Sequence, residues 1–150
     1  ASALLSGLVG SEMCIRDSNI SSSYSSRMID EYPILAIAAA VSSGKTKLSG
    51  LAELRHKESD RFKAIINGLE SCGIKVESEN DDIIIYGNNK ILGGTTIDCN
   101  HDHRVAMSFL ILGALSLKPI KVIGCKSIST SYPTFVSDMN CLGMDIRSND

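Results

Sequence analysis

Residues 59–76 read Ser59-Asp60-Arg61-Phe62-Lys63-Ala64-Ile65-Ile66-Asn67-Gly68-Leu69-Glu70-Ser71-Cys72-Gly73-Ile74-Lys75-Val76. Phe62, Ile65, Ile66 and Leu69 recur at i, i+3, i+4 and i+7, which lays one apolar stripe along a helix; Gly73 ends it and Ile74 to Glu77 starts a strand. The pattern returns in phase at an offset of 70 positions: Tyr132, Phe135, Val136, Met139, Gly143, Met144 and Ile146 stand against Phe62, Ile65, Ile66, Leu69, Gly73, Ile74 and Val76. Apolar matches alone are cheap, but paired glycine terminators in the same phase are not. The chain therefore holds two copies of one helix-strand unit.

Working outward, Asp30-Glu31-Tyr32 precedes Pro33, and an Ala-rich helix is predicted from Pro33 to Ser42, closed by Gly44 and followed by a strand from Lys45 to Leu48. Strands Ile74 to Glu77 and Ile83 to Tyr86 flank the polar turn Ser78 to Asp82. In the second half Asp102 caps a helix from Arg104 to Ser116 that is apolar nearly all round. A strand Pro119 to Ile123, a helix Pro133 to Leu142 and a strand Met144 to Arg147 complete the order helix-strand-helix-strand, twice. The fold class is α/β. Ser11 to Ser26 is polar and Ser-rich and reads as loop or linker. The apolar stretch Ala3 to Gly10 lacks the basic flank of a signal peptide.

The chain has 150 residues, enough for one domain, and 43% of them are hydrophobic, enough for a core. Fifteen basic against seventeen acidic residues give a net charge of -2, so no global field attracts nucleic acid or an anionic membrane. Any bound anion must be held by a local cluster. No apolar run reaches the roughly 20 residues of a membrane span. Five cysteines, odd in number and without a CxxC pair, speak against a disulfide framework or zinc ribbon and for a reducing, cytoplasmic compartment.

Chemistry concentrates at the helix starts. Lys57 and Arg61 flank one start, and His103 and Arg104 lie in the first turn of another. Cations there oppose the helix dipole, at about 0.3–1 kcal/mol each, unless something negative compensates. A bound phosphate or carboxylate would do so. So would neighbouring Glu53, Glu58 or Asp60, since the run Glu53 to Arg61 sums to zero charge. Cys99-Asn100-His101-Asp102-His103 offers metal-ligating residue types, but alternation sends them to opposite faces, and Asp102 reads more simply as a helix cap. Asp30 is either a structural cap or, if it faces the cations, a proton-transfer group.

Four motifs, in order, now carry a resemblance: Asp30-Glu31-Tyr32-Pro33 with the Ala-rich run after it, Glu53-Leu54-Arg55-His56-Lys57-Glu58-Ser59-Asp60-Arg61, Asp102-His103-Arg104-Val105-Ala106-Met107, and Thr130-Ser131-Tyr132-Pro133. Together they closely resemble the C-terminal part of the 3-phosphoshikimate 1-carboxyvinyltransferase family. The resemblance covers residues 28–150 as part of the C-terminal enolpyruvyl transferase domain. Residues 1–27 fall outside it, as a foreign or disordered leader; Ser6 to Ser18 resembles a peptide translated from a sequencing adaptor.

The resemblance implies an inside-out α/β barrel of repeated βαβαββ units, about two of them present. It implies transfer of the enolpyruvyl group of phosphoenolpyruvate to the 5-hydroxyl of shikimate 3-phosphate, with release of phosphate, on the route to chorismate and the aromatic amino acids. No cofactor or metal, no nucleic acid and no membrane partner is implied, and the complete protein would be a monomer. By position Asp30 resembles the proton acceptor at the 5-hydroxyl, Lys57 the shikimate-side cation, and Glu58 the carboxylate that exchanges a proton with the methylene carbon. Arg61 and Arg104 resemble the phosphoenolpyruvate grips, with Asp102 and His103 orienting Arg104. His56 stands where the family usually has an apolar residue, and Thr130 where one branch carries a lysine. The alternatives are the UDP-N-acetylglucosamine enolpyruvyl transferases and a non-catalytic anion-binding repeat. The chain alone is expected to be inactive, because the family's site lies between two domains.

Overall fold

The structure, a computed structural model, describes residues 17–148. Strand β1 (Ser18–Ile20) leads through a 3-10 turn to α1 (Tyr32–Val41) and β2 (Gly44–Leu48). A second 3-10 segment, Ala52–His56, precedes α2 (Arg61–Ser71), β3 (Lys75–Glu79) and β4 (Asp82–Gly87). The order is βαβαββ, one complete unit. Its four strands form one sheet in the order β1-β2-β4-β3, parallel between β1 and β2 and antiparallel elsewhere. Parallel pairing of β1 with β2 needs a crossover, and α1 supplies it.

The second unit starts again with β5 (Ile91–Gly93) and β6 (Thr96–Asp98), runs through α3 (His103–Ala114), and returns in β7 (Ser116–Lys118) and β8 (Lys121–Ile123). β5 pairs with β7 and β6 with β8, both parallel, so α3 repeats the crossover of α1. Two short helices follow, α4 (Ile128–Ser131) and α5 (Phe135–Cys141). The 70-residue repeat survives in the hydrogen bonds that stop the helices. Gly73 N donates to Glu70 O and Ile74 N to Leu69 O; Gly143 N donates to Asn140 O and Met144 N to Met139 O. Both glycines are left-handed, at φ +84° and +97°, the conformation such a stop requires.

Side-chain alternation sets the layers. Thr46, Leu48, Val76, Ile83 and Ile85 point into the core, while Lys45, Lys47 and Glu77 stand on the opposite face. Against the inner face pack α1, α2 and α3, through Tyr32, Ala36, Phe62, Ile65, Leu69 and Phe109 among others, so the helices lie inside. Helices α2 and α3 meet at Gly68, where an added Cβ would stand 2.2 Å from the Phe109 ring. Gly68→Ala is therefore expected to lower stability by about 1–3 kcal/mol through overpacking, more than the roughly 1 kcal/mol that alanine gains in helix propensity. A denaturant midpoint that rose would contradict this packing.

Several expectations need correction. Ser11 to Ser26 is not all loop: Ser18–Ile20 forms β1 and Ser22–Tyr24 a 3-10 turn. Residue 27 is thus no structural boundary, since β1 belongs to the sheet; the leader reading for residues 1–16, the signal-peptide question included, lies outside the described residues. The strand expected from Pro119 to Ile123 is shortened to β8, Lys121–Ile123, the helix before it ends at Ala114 rather than Ser116, and β5, β6 and β7 were not foreseen. Met144 to Arg147 is not a strand. In the first unit β3 is held by β4, and nothing among residues 144–148 plays that part; the Asn140 amide bonds both the N–H and the C=O of Ile146 instead. Helix α5 begins at Phe135 rather than Pro133, and α2 is capped by Asp60, whose side chain accepts from Lys63 N.

Candidate active site

Three helix starts converge. At the entrance to α1 stand Asp30 and Glu31; at α2, Lys57, Glu58, Ser59 and Arg61; at α3, Asp102, His103 and Arg104. The segment bearing Lys57 and Glu58 is fixed from behind: the Arg55 guanidinium lies 3.7 Å from the centre of the Phe62 ring and donates to Asn80 O, tying it to α2 and to the β3–β4 turn. Ahead of α3, Asn100 and His101 both adopt left-handed backbone, at φ +48° and +62°. That tight turn, closed by Asp102 N donating to Cys99 O, delivers Asp102 to the helix start.

At the centre is Arg61, fully buried, with three carboxylates on its guanidinium. Nε donates to Asp102 Oδ2 at 2.6 Å, Nη1 to Asp30 Oδ1 at 2.7 Å and Nη2 to Glu58 Oε2 at 2.6 Å. Asp102, equally buried, divides its oxygens: Oδ1 caps α3 by accepting from Arg104 N and Val105 N, and Oδ2 accepts from Arg61 and from the Ser59 hydroxyl. One carboxylate thus locks α3 to α2. Lys57 Nζ lies 3.6 Å from Asp30 Oδ1. Arg104 Nη1 donates to Asp30 O and to Glu31 Oε1, and its Nη2 lies 4.0 Å from Asp30 Oδ2.

Asp30, Lys57, Glu58, Arg61, Asp102 and Arg104 are therefore brought together as the motifs anticipated. His103 is not joined to them: it is half-buried, and its side chain makes no hydrogen bond or ion pair among the described residues. Asp102 touches Arg104 only at the backbone, and its side-chain partners are Arg61 and Ser59. Among the described residues, no hydrogen bond or ion pair links Thr130 to Pro133 with the cluster, so the fourth motif does not join it; the Thr130 hydroxyl donates to Ser127 O. His56 is exposed and displaces no core contact. Pairing of Arg61 with Glu58 is real, yet Arg61 is buried rather than solvated. Sequence reasoning overlooked Glu31 and Ser59 as members of the cluster; the signal available was their place beside Asp30 and Asp60 at helix entrances. An open groove lined by Lys63, Asn67, Ser71, Thr96 and Asp98 runs along α2, and it contains none of the cluster residues.

Electrostatics follow from the geometry. The hydrogen bond from Arg61 holds the Asp30 carboxyl below the usual aspartate value of 3.8, against partial burial, with the charges of Lys57 and Arg104 assisting. Burial opposes the charge on Arg61, but its bonds to Asp102 and Asp30 more than reverse this and raise its pKa. Because the folded pKa of Asp30 is depressed, its contribution to stability is present above the unfolded value and is lost as pH falls through the folded one. Asp30→Asn should flatten the acid limb of a stability-against-pH curve below about pH 4; an unchanged limb would contradict the pairing.

Comparison with known proteins bears on this cluster. A sequence profile described as EPSP synthase (3-phosphoshikimate 1-carboxyvinyltransferase) matches residues 15–139. The chain belongs to the EPSP synthase family. Among its relatives, the 3-phosphoshikimate 1-carboxyvinyltransferase of Paramagnetospirillum magneticum is 49% identical over 124 residues, which are 82% of this chain and 28% of the relative. That of Rhodospirillum rubrum is 47% identical over 120 residues, 79% of this chain and 27% of the relative. The chain thus spans just over a quarter of the length of these family members. A solved structure of EPSP synthase from Acinetobacter baumannii superposes with a TM-score of 0.84 at 38% identity, over 90% of this chain and 32% of that one. The enolpyruvyl transferase NikO from Streptomyces tendae shares the fold, with a TM-score of 0.65 at 21% identity, over 88% of this chain and 29% of that one. The inside-out α/β architecture is that of the EPSP synthase family, and the match from residue 15 extends the family segment across β1.

Proposed function

We propose that this chain forms one wall of a site that transfers the enolpyruvyl group of phosphoenolpyruvate to the 5-hydroxyl of shikimate 3-phosphate, releasing phosphate. The observation that carries the reading is the convergence of Asp30, Glu58, Lys57, Arg61 and Arg104: a repeat serving only as a scaffold has no use for exposed carboxylates aimed at its arginines. In this reading the substrate oxygen attacks C2 of phosphoenolpyruvate while its proton passes to Asp30. Glu58, protonated as the donor binds, gives that proton to C3; the tetrahedral adduct then expels phosphate as a C3 proton returns to Glu58, and the proton on Asp30 leaves with the phosphate. Asp30, held anionic by Arg61, is ready to accept but weakly basic. An anionic substrate that draws on Arg61 and Arg104 raises its basicity as the complex forms. Lys57, 3.6 Å from Asp30, serves the shikimate side. Arg104, at the rim, offers a planar fork for carboxylate and phosphate, and the buried Arg61 offers its own as the exposed carboxylates of Asp30 and Glu58 turn from it toward the substrates. Asp102 sets the Arg61 fork, and Glu31 and the Asp30 carbonyl hold Arg104.

The reaction uses no cofactor or metal in this reading. The setting is a soluble, cytoplasmic monomer whose partners are its two small substrates; among the described residues no helix is long and apolar enough to cross a membrane. The segment from residue 15, β1 included, belongs to the C-terminal domain, and the opposite wall comes from sequence present in the longer relatives. The 150-residue chain alone should therefore show no turnover. The test is phosphate release from phosphoenolpyruvate by a full-length enzyme carrying this segment. Release with shikimate 3-phosphate and none with UDP-N-acetylglucosamine is expected; the reverse preference would overturn the substrate assignment.

A further inference from the structure

The carboxylates around the arginines fall into two kinds. Asp102 is fully buried and fixed by four hydrogen bonds. Glu31 is more than half exposed and holds Arg104 through a single bond, Oε1 accepting from Nη1 at 3.1 Å. Glu31 also stands at the N-cap of α1, yet its side chain makes no capping bond to that helix. The short side chains that cap helices, Asp, Asn, Ser and Thr, turn back onto the first N–H groups; the longer Glu31 reaches across to Arg104. Charge matters as well. Lys57, Arg61 and Arg104 face Asp30, Glu31, Glu58 and Asp102, three cations against four anions. With that balance an incoming polyanion meets no excess positive charge unless a carboxylate leaves, and the exposed, singly bonded one leaves most easily.

We infer that Glu31 is an internal counter-ion that occupies Arg104 in the empty site and is displaced by the anionic donor substrate, so that it tunes donor affinity without entering the chemistry. The inference rests on the proposed reading of Arg104 as a donor-binding residue. It makes Glu31 a positioning residue whose removal improves binding, the opposite of what loss of a structural contact would do.

The test uses a full-length enzyme carrying this segment, with steady-state kinetics in phosphoenolpyruvate at saturating shikimate 3-phosphate. Glu31→Gln, and Glu31→Ser as a second variant that can cap α1, should lower KM about twofold to fivefold, the range of one exposed ion pair, with kcat unchanged. In an Arg104→Ala background the same substitutions should leave KM where Arg104→Ala put it. If Arg104→Ala raises KM but the Glu31 variants leave it unchanged or raise it, the counter-ion role is wrong and the reading of Arg104 stands. If Arg104→Ala does not alter KM, the reading of Arg104 fails and the inference falls with it.

Discussion

Arg61→Ala is expected to cost about 3–5 kcal/mol of stability, and Arg61→Lys to weaken phosphoenolpyruvate by about 1–3 kcal/mol while leaving the chain folded. The first figure follows from Asp102, which is fully buried and would lose the guanidinium that neutralises it. Removing one partner of a buried pair strands the other charge, and a domain with about 5–15 kcal/mol in total feels such a loss. Lysine keeps a positive charge beside Asp102 but cannot extend a planar fork to three carboxylates from three helix entrances. Arg104 provides the contrast. Its side chain is one-third exposed, so its ion pairs with Glu31 and Asp30 are worth at most about 1 kcal/mol. Arg104→Lys should hence leave stability nearly intact and yet weaken phosphoenolpyruvate comparably. Denaturant midpoints at constant slope, with calorimetric donor binding, separate the two. Equal loss of stability in Arg61→Ala and Arg104→Ala would show that the cluster is not centred on Arg61.

Asp30→Asn should lower turnover by roughly 10²- to 10⁴-fold, the range for loss of a positioned general base, with both substrates still bound. The amide keeps an oxygen that can accept from Arg61 Nη1, so the geometry is preserved while the proton acceptor is lost. Asp30 is also nearly half exposed, which lets a substrate hydroxyl reach it. The phenotype is opposite in kind to that of the arginine variants. Loss of donor affinity in Asp30→Asn, with turnover intact at saturation, would reverse the assignment of base and grips.

Local features of the fold were legible because neighbouring residues dictate them. Gly73 and Gly143 stop their helices with the same two hydrogen bonds, and Asp102 caps α3 from the position its type implies. β1 was illegible because Ser18-Asn19-Ile20 has one apolar residue; its strand state comes from parallel pairing with β2, where the hydroxyls of Ser18 and Thr46 bond across the ladder. Met144 to Arg147 has residue types suited to a strand, yet among the described residues no strand pairs with it. At the site, residue types and their gathering could be read, but not the burial of Arg61. Two of its carboxylates come from 31 and 41 positions away, and only the packing of α1, α2 and α3 brings them together. Sequence alone made Arg61 an open fork like Arg104, whereas the fold makes one the anchor of the cluster and leaves the other at its rim.

The most direct test of the site is a crystal structure of a full-length enzyme carrying this segment, bound to shikimate 3-phosphate and an unreactive analogue of phosphoenolpyruvate. The acceptor 5-hydroxyl should lie within about 3 Å of the Asp30 carboxylate, with the anionic groups of the analogue on Arg61 and Arg104. An acceptor hydroxyl held by another residue, or a donor analogue bound away from both arginines, would contradict it.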